Sequence, residues 1–333
     1  MSDSPVRTKR DGAVLEVTLD RPKANAIDAK TSRLLGESFA AFRDDPELRV
    51  AIITGGGERF FCAGWDLIAA AHGEAPDSDY GVGGFGGIQE LPDLNKPIIA
   101  AVNGMAVGGG FELALACDLI IAAEHVRFAL PEIRAGTLAD AATLRLPKRI
   151  PYHIAMELLL LGRWMEAAEA HRLGLVNEVV PAGELMVRAR ALAAQLADGP
   201  PLVFAAIKEV MRDSETQPFR EALRAIARRE FPSVARLYAS ADHAEGARAF
   251  AEKRAPRWQG RYSAIAAGNT AAGAQSNGRP RHLGSNPQRP CARTTLRSRP
   301  PAAWASSSSP RAASCPAYTA WAISAGWRQS PMR

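Results

Sequence analysis

Pro97 to Val102 contains only apolar side chains, and six positions later the chain meets Gly108, Gly109 and Gly110 before turning apolar again from Phe111 to Cys117. An uninterrupted apolar run closed by glycine reads as a strand buried on both faces. Good helix formers after a glycine triplet read as a helix entered through a tight turn. Residues 96–118 are therefore strand, turn and helix, and a fully buried strand requires layers on both sides of it. Glu112 is the anomaly, one turn inside a helix whose other residues are apolar. A carboxylate in such company is costly unless it is paired or used. The helix start also aims free N–H groups and a positive dipole end at whatever lies over the glycines, which is how an oxyanion hole is built. The plainer reading, a glycine-rich connection with a partly solvated first-turn anion, stays open on this stretch alone.

The same logic organises the rest. Ala13–Leu19 alternates as a first strand. Asp28 is placed to cap a helix over 30–43, Val50–Thr54 is a second buried strand, and Phe60–Ala63, Gly64 and 65–71 read as short strand, turn and helix. Residues 73–87, polar and glycine-rich, have no packing pattern and read as a lid. Their GxGxxG match, Gly81, Gly83 and Gly86, follows no strand and has Ala106 where an acid belongs, so a dinucleotide site is not expected. Leu119–Ala122 is another strand and 176–180 a late one. Helices are expected over 153–161, 165–173, 184–196, 201–212 and 218–227. Strands early and helices late suggest α and β within one domain.

Charge separates the tail from the body. Residues 262–333 hold nine of the 41 Lys and Arg and no Asp or Glu, leaving 32 bases against 35 acids in residues 1–261. The body is mildly acidic, so nucleic acid is not expected as its partner. The tail has no core periodicity; disorder, an aberrant reading frame, or a basic nucleic-acid-binding arm are its possible readings. No run reaches the roughly 18 apolar residues of a membrane span, and no apolar signal core opens the chain, so a cytoplasmic address and no membrane partner are expected. Cys62, Cys117, Cys291 and Cys315 show no CxxC pairing, and His72, His125, His153, His171 and His243 show no ligand spacing, so no metal is expected. GxSxG is absent.

Glu132, set by Pro131 at the end of a strand, is the second anomaly, and the coarse topology places it opposite Glu112. Two carboxylates on one pocket can divide acid and base roles, because repulsion and desolvation raise at least one pKa. Two unrelated surface acids remain the alternative from spacing alone.

AGWD at 63–66, NGMAVGGGFELALACDL at 103–119 and FALPEIRAG at 128–136 resemble the crotonase, or enoyl-CoA hydratase/isomerase, family. The likeness covers about residues 8–261. Further stretches, LDRPKANAIDAKTS at 19–32, AGWDL at 63–67 and GEAPDSDYG at 73–81, tighten it toward the branch that removes water from a hydroxyacyl thioester bearing a trimethylammonium group. The resemblance implies an α/β fold, a crotonase-type spiral of strand-strand-helix turns with a helical C-terminal trimerisation region. It implies a core with CoA and catalytic site in 1–200, helices in 201–261 and a foreign tail in 262–333. A homotrimer or homohexamer acting on an acyl-CoA would follow, with no cofactor beyond the CoA of the substrate.

By the same resemblance, Trp65 and Gly109 supply the oxyanion N–H groups, and Glu112 and Glu132 are the catalytic pair. Lys23, Ala24, Ala63, Asp66 and Leu67 meet the CoA. A quaternary ammonium is attracted to aromatic faces, so Trp65, Tyr80 and Phe85 are the candidates for the substrate cation, with Asp66 or Asp79 adding field. The chain departs from its kin at Ile68, where they carry a lysine, and in AGTLADAATLRLP, which lacks their proline and Gly-Gly pair and is one residue shorter. A general short-chain enoyl-CoA hydratase or isomerase is the rival enzyme, and a non-catalytic member with a nucleic-acid-binding tail the rival from another class.

Overall fold

The computed structural model describes residues 4–260, so every expectation placed on 262–333 lies outside the described residues. The chain opens with a hairpin, β1 (Val6–Asp11) antiparallel to β2 (Val14–Leu19). β1 escapes a reading by periodicity because only Val6 is buried; its Arg7, Lys9 and Arg10 make it a charged edge strand of the kind that resists pairing with other chains. Helix α1 (Ala29–Asp44) follows, capped by Asp28, whose carboxylate accepts from the Thr31 N–H at 2.7 Å.

Three times the chain then runs strand, strand, helix. The turns are β3 (Val50–Gly55), β4 (Phe60–Cys62) and α2 (Leu67–Ala71); β5 (Ile98–Val102), β6 (Met105–Val107) and α3 (Gly109–Ala116); β7 (Leu119–Ala123), β8 (Arg127–Ala129) and α4 (Glu132–Ala135). Then come α5 (Asp140–Arg145), α6 (Tyr152–Leu161), β9 (Met165–Glu166), α7 (Ala167–Arg172), β10 (Glu178–Val180) and α8 (Leu185–Ala197). The first strand of each turn joins a six-stranded sheet in the order β1-β2-β3-β5-β7-β10, parallel except at the opening hairpin. The second joins a four-stranded sheet, β4-β6-β8-β9. β3 and β5 are buried at every position, which is why they read as unbroken apolar runs. Met165, expected in a helix, instead pairs as a strand residue with Phe128.

This spiral positions the site. In the smaller sheet Cys62 lies beside Ala106 and Val107 beside Ala129, so the segments leaving β4, β6 and β8 emerge side by side at the carboxyl ends of parallel strands. Residues 73–87 are less free than their composition suggests. Gly83, Gly86 and Gly87 are buried, the Gly86 N–H donates to Ser32 Oγ at 3.1 Å, and a Cβ on Gly87 would collide with the α1 backbone at Leu35 and Gly36. Glycine is thus a packing requirement there.

Four helices close the described chain: α9 (Pro201–Asp213), α10 (Phe219–Ala227), α11 (Pro232–Tyr238) and α12 (Ala241–Ala251). They carry a small core of their own around Ala206, Phe231 and Val234. No helix among the described residues is long and apolar enough to cross a membrane.

Candidate active site

Two backbone donors stand free at the strand ends. Gly108 follows β6 with φ +55° and turns the chain into α3, which leaves the Gly109 N–H with no acceptor among the described residues. Trp65 forms a parallel bridge with Ile27: the Ile27 N–H donates to Gly64 O at 2.8 Å and the Asp66 N–H to Ile27 O at 2.9 Å. Alternation then points the Trp65 N–H to the opposite side, where no acceptor meets it among the described residues. The two donors adjoin, since a Cβ on Gly64 would lie 2.8 Å from the Gly109 nitrogen.

Two carboxylates lie close enough for one to feel the other's charge, and one of them stands over Gly108. Glu112 is buried at 8% exposure, and its Oε1 accepts from the Ala142 N–H of α5 at 2.9 Å. Burial pushes its pKa up, the Ala142 amide pulls it partly back, and the Asp140 charge raises it again. Glu132 is the first residue of α4 rather than a strand residue. Its Oε1 stands over Gly108, where a Cβ would come within 2.6 Å, and its buried Oε2 has no hydrogen-bond partner among the described residues. Burial first, then the charges of Glu112 and Asp140, raise its pKa to about 7. A carboxyl poised near neutrality beside unfilled N–H groups can hold and release a proton. Asp140, at the start of α5, is a third acid whose charge reaches both.

The residues expected to meet CoA are brought together by the backbone. Ala63 N–H donates to Ala24 O at 3.0 Å, while Lys23 and Leu67 are exposed. Asp66 is committed elsewhere. Its Oδ1 caps α2 through the Ile68 and Ala69 N–H groups, and its Oδ2 pairs with Arg21 at 2.7 Å. Burial opposes ionisation, yet Arg21 and those amides hold the carboxyl below its usual range. Arg21 also grips Asp28 at 3.0 Å, so one guanidinium ties the caps of α1 and α2. Asp79 turns inward on its own loop, accepting from the Gly81 N–H at 2.9 Å. Neither Asp66 nor Asp79 bonds to an aromatic side chain.

The acid that does so is Glu74, which no local pattern marked. Its Oε1 accepts from Trp65 Nε1–H at 2.9 Å and its Oε2 from the Ala29 N–H at 3.0 Å. Tyr80 stands edge-on to Phe85, ring centres 5.4 Å apart, and Phe85 packs against Gly109. The expected aromatic trio thus gathers beside the free donors. Burial, with the Glu74 charge, pushes the Tyr80 phenol up to about 12. A separate cleft of about 1420 Å³, lined by Arg43, Lys96, Glu209 and Arg236 among others, touches none of these groups. Among the described residues no three His, Cys, Asp or Glu converge as metal ligands.

Residues 9–261 match the sequence model of enoyl-CoA hydratase/isomerase. A carnitinyl-CoA dehydratase of Salmonella typhi is 58% identical over 265 residues, covering 78% of this chain and all of the relative, and one of Salmonella heidelberg (strain SL476) is 57% identical over the same span. Among solved structures, an enoyl-CoA hydratase from Mycobacterium tuberculosis H37Rv superposes with TM-score 0.71 at 41% identity, covering 78% of this chain and all of that one. Enoyl-CoA hydratase EchA1 from Mycobacterium marinum matches equally, at TM-score 0.71 and 41% identity.

Proposed function

The chain belongs to the enoyl-CoA hydratase/isomerase family, and on that premise we propose that it is a hydro-lyase interconverting L-carnitinyl-CoA and crotonobetainyl-CoA. The observation that carries the chemistry is Glu132: a half-buried carboxyl whose buried Oε2 is unpartnered, beside a second raised carboxyl and two free N–H groups. In hydration the thioester oxygen accepts from the Trp65 and Gly109 N–H groups. Glu112 takes a proton from water as its oxygen bonds to Cβ; negative charge passes to the thioester oxygen, and Glu132 delivers a proton to Cα. Dehydration runs the same transfers backwards on the same face. Each oxyanion donor contributes about 10²- to 10³-fold, and each proton transfer about 10²- to 10⁴-fold.

The relatives' substrate supports the choice of acyl group, because carnitinyl carries a quaternary ammonium and Trp65, Tyr80 and Phe85 offer it aromatic faces at roughly 0.5–2 kcal/mol each. Lys23 meets the CoA phosphates at the rim, with Ala24, Ala63 and Leu67 along the nucleotide and pantetheine and Asp66 holding their loop in place. No cofactor is needed beyond the CoA of the substrate. We assign the protein a homotrimeric or homohexameric state in the cytoplasm; exposed Tyr152, Leu160 and Leu161 of α6 support assembly, being apolar surface that a partner subunit would cover.

The test is hydration of crotonobetainyl-CoA against crotonyl-CoA by the full chain and by Glu132→Gln. Preferential hydration of the betaine thioester by the full chain is expected, with turnover of both thioesters collapsing in the substituted protein. Turnover of crotonyl-CoA alone would assign a general short-chain hydratase instead.

A further inference from the structure

Glu74 has no part in the proton transfers, yet it stands where the acyl end of the substrate must lie. From thioester carbon to ammonium nitrogen are four bonds near 1.5 Å, a reach on the order of 5 Å. Trp65 and Gly109, whose N–H groups hold the carbonyl oxygen, carry or touch the aromatic rings: the Trp65 indole belongs to one donor, and Phe85 packs on the other with Tyr80 edge-on behind it. The cation therefore falls within reach of the trio.

A carboxylate bonded to an indole N–H does two things. It fixes the ring, here at 2.9 Å, and it pushes electron density into the π-system, making the ring face more negative. Glu74 is itself fixed by the Ala29 N–H at the start of the 16-residue helix α1, so it cannot swing to pair with the ammonium directly. We propose that Glu74 is the residue that sets preference for a cationic acyl group, acting through Trp65 as a positioning and polarising residue while the aromatic trio makes the contact. The inference rests on the carnitinyl reading above and deepens it. It also separates two jobs within Trp65: the backbone serves the oxyanion, and the ring, under control of Glu74, serves the substrate tail.

Shape and charge are separated by 5,5-dimethylhex-2-enoyl-CoA, in which carbon replaces the quaternary nitrogen of crotonobetainyl-CoA. With the full chain, kcat/KM for the cationic thioester is expected to exceed that for the neutral one by roughly tenfold or more. Glu74→Gln is expected to cut this ratio to roughly threefold or less, whatever happens to the individual rates. Trp65→Phe, which keeps the backbone N–H and an aromatic face but removes Nε1–H, is expected to lower the ratio in the same direction, and it carries the test if Glu74→Gln does not fold. A purely structural role would lower both substrates equally. An unchanged ratio in the folded variants overturns the role of Glu74 while leaving the carnitinyl reading intact. Absence of any preference for the cation in the unaltered protein overturns that reading, and this inference with it.

Discussion

The two glutamates sit on helices of opposite character. α3, which carries Glu112, has seven of its eight residues buried; α4, which carries Glu132, has four residues and none buried. Glu112 is held by an amide from α5, whereas Glu132 ends in an oxygen that nothing among the described residues satisfies. A fixed acceptor suits a group that must aim at one water molecule. A carboxyl left short of partners suits one that must take up and give back a carbon-bound proton, since every protein partner it kept would have to be displaced. Rigidity in this site is placed where direction matters, and frustration where exchange matters.

The sharpest way to break that contrast is to remove each acid alone. Glu132→Gln and Glu112→Gln are each expected to lower kcat by about 10²- to 10⁴-fold. Glu132→Gln should also slow the exchange of the Cα proton of the hydroxyacyl thioester with D2O by a similar factor, read by mass spectrometry of that thioester over time. Exchange at the unaltered rate would remove Glu132 from the proton path. Under the proposed transfers the pair holds one proton in total, which begins on Glu132 in hydration and on Glu112 in dehydration. kcat/KM should therefore fall in both directions as pH rises past about 7, where Glu132 loses its proton.

Next in size is Gly108→Ala. Its φ of +55° disfavours any side chain, and the added methyl would press on Glu132 Oε1 at 2.6 Å. A loss of about 10²-fold in kcat is expected as donor and acid are forced apart, with a stability cost of about 1–3 kcal/mol in a denaturant titration.

A smaller effect tests the strain on Glu132 itself. Its folded-state pKa, about 7, lies above the ordinary 4.5, so the folded protein holds this proton more tightly than the unfolded chain. The resulting stability is complete below pH 4.5 and is lost as pH rises toward 7. Above that the ionised group is a burden on the order of 2 kcal/mol after allowance for partial solvent screening. Glu132→Gln should accordingly raise Tm relative to the unaltered protein at pH 8 and lose that advantage at pH 4.5; no difference between the two pH values would deny the burial cost. Smallest is Ile68→Lys at a position 72% exposed, expected to lower KM for CoA thioesters about two- to threefold while leaving stability within about 0.5 kcal/mol. A KM unchanged by the lysine would place the CoA phosphates away from α2.

Much of this is legible in the sequence. The buried strands showed as apolar runs because parallel strands packed on both faces have no polar side to display, and Glu112 and Glu132 showed because acids in apolar company are conspicuous. The charged edge strand β1 did not show, since it buries one residue and so leaves no period. Glu74 did not, because a glutamate in a polar loop resembles its neighbours until Trp65 and Ala29 close around it.

The sequence by itself determined which residues had to be inside, where the chain had to turn, and which acids were out of place, because burial and backbone sterics are written in local chemistry. Only the tertiary structure decided which groups meet. The free N–H of Trp65 exists because Ile27, 38 positions earlier, bonds the residues on either side of it. The pKa of Glu132 is raised by burial and by two acids carried on other helices. Hydrogen bonds and fields act across space, and the spiral alone brings those distant segments to one point.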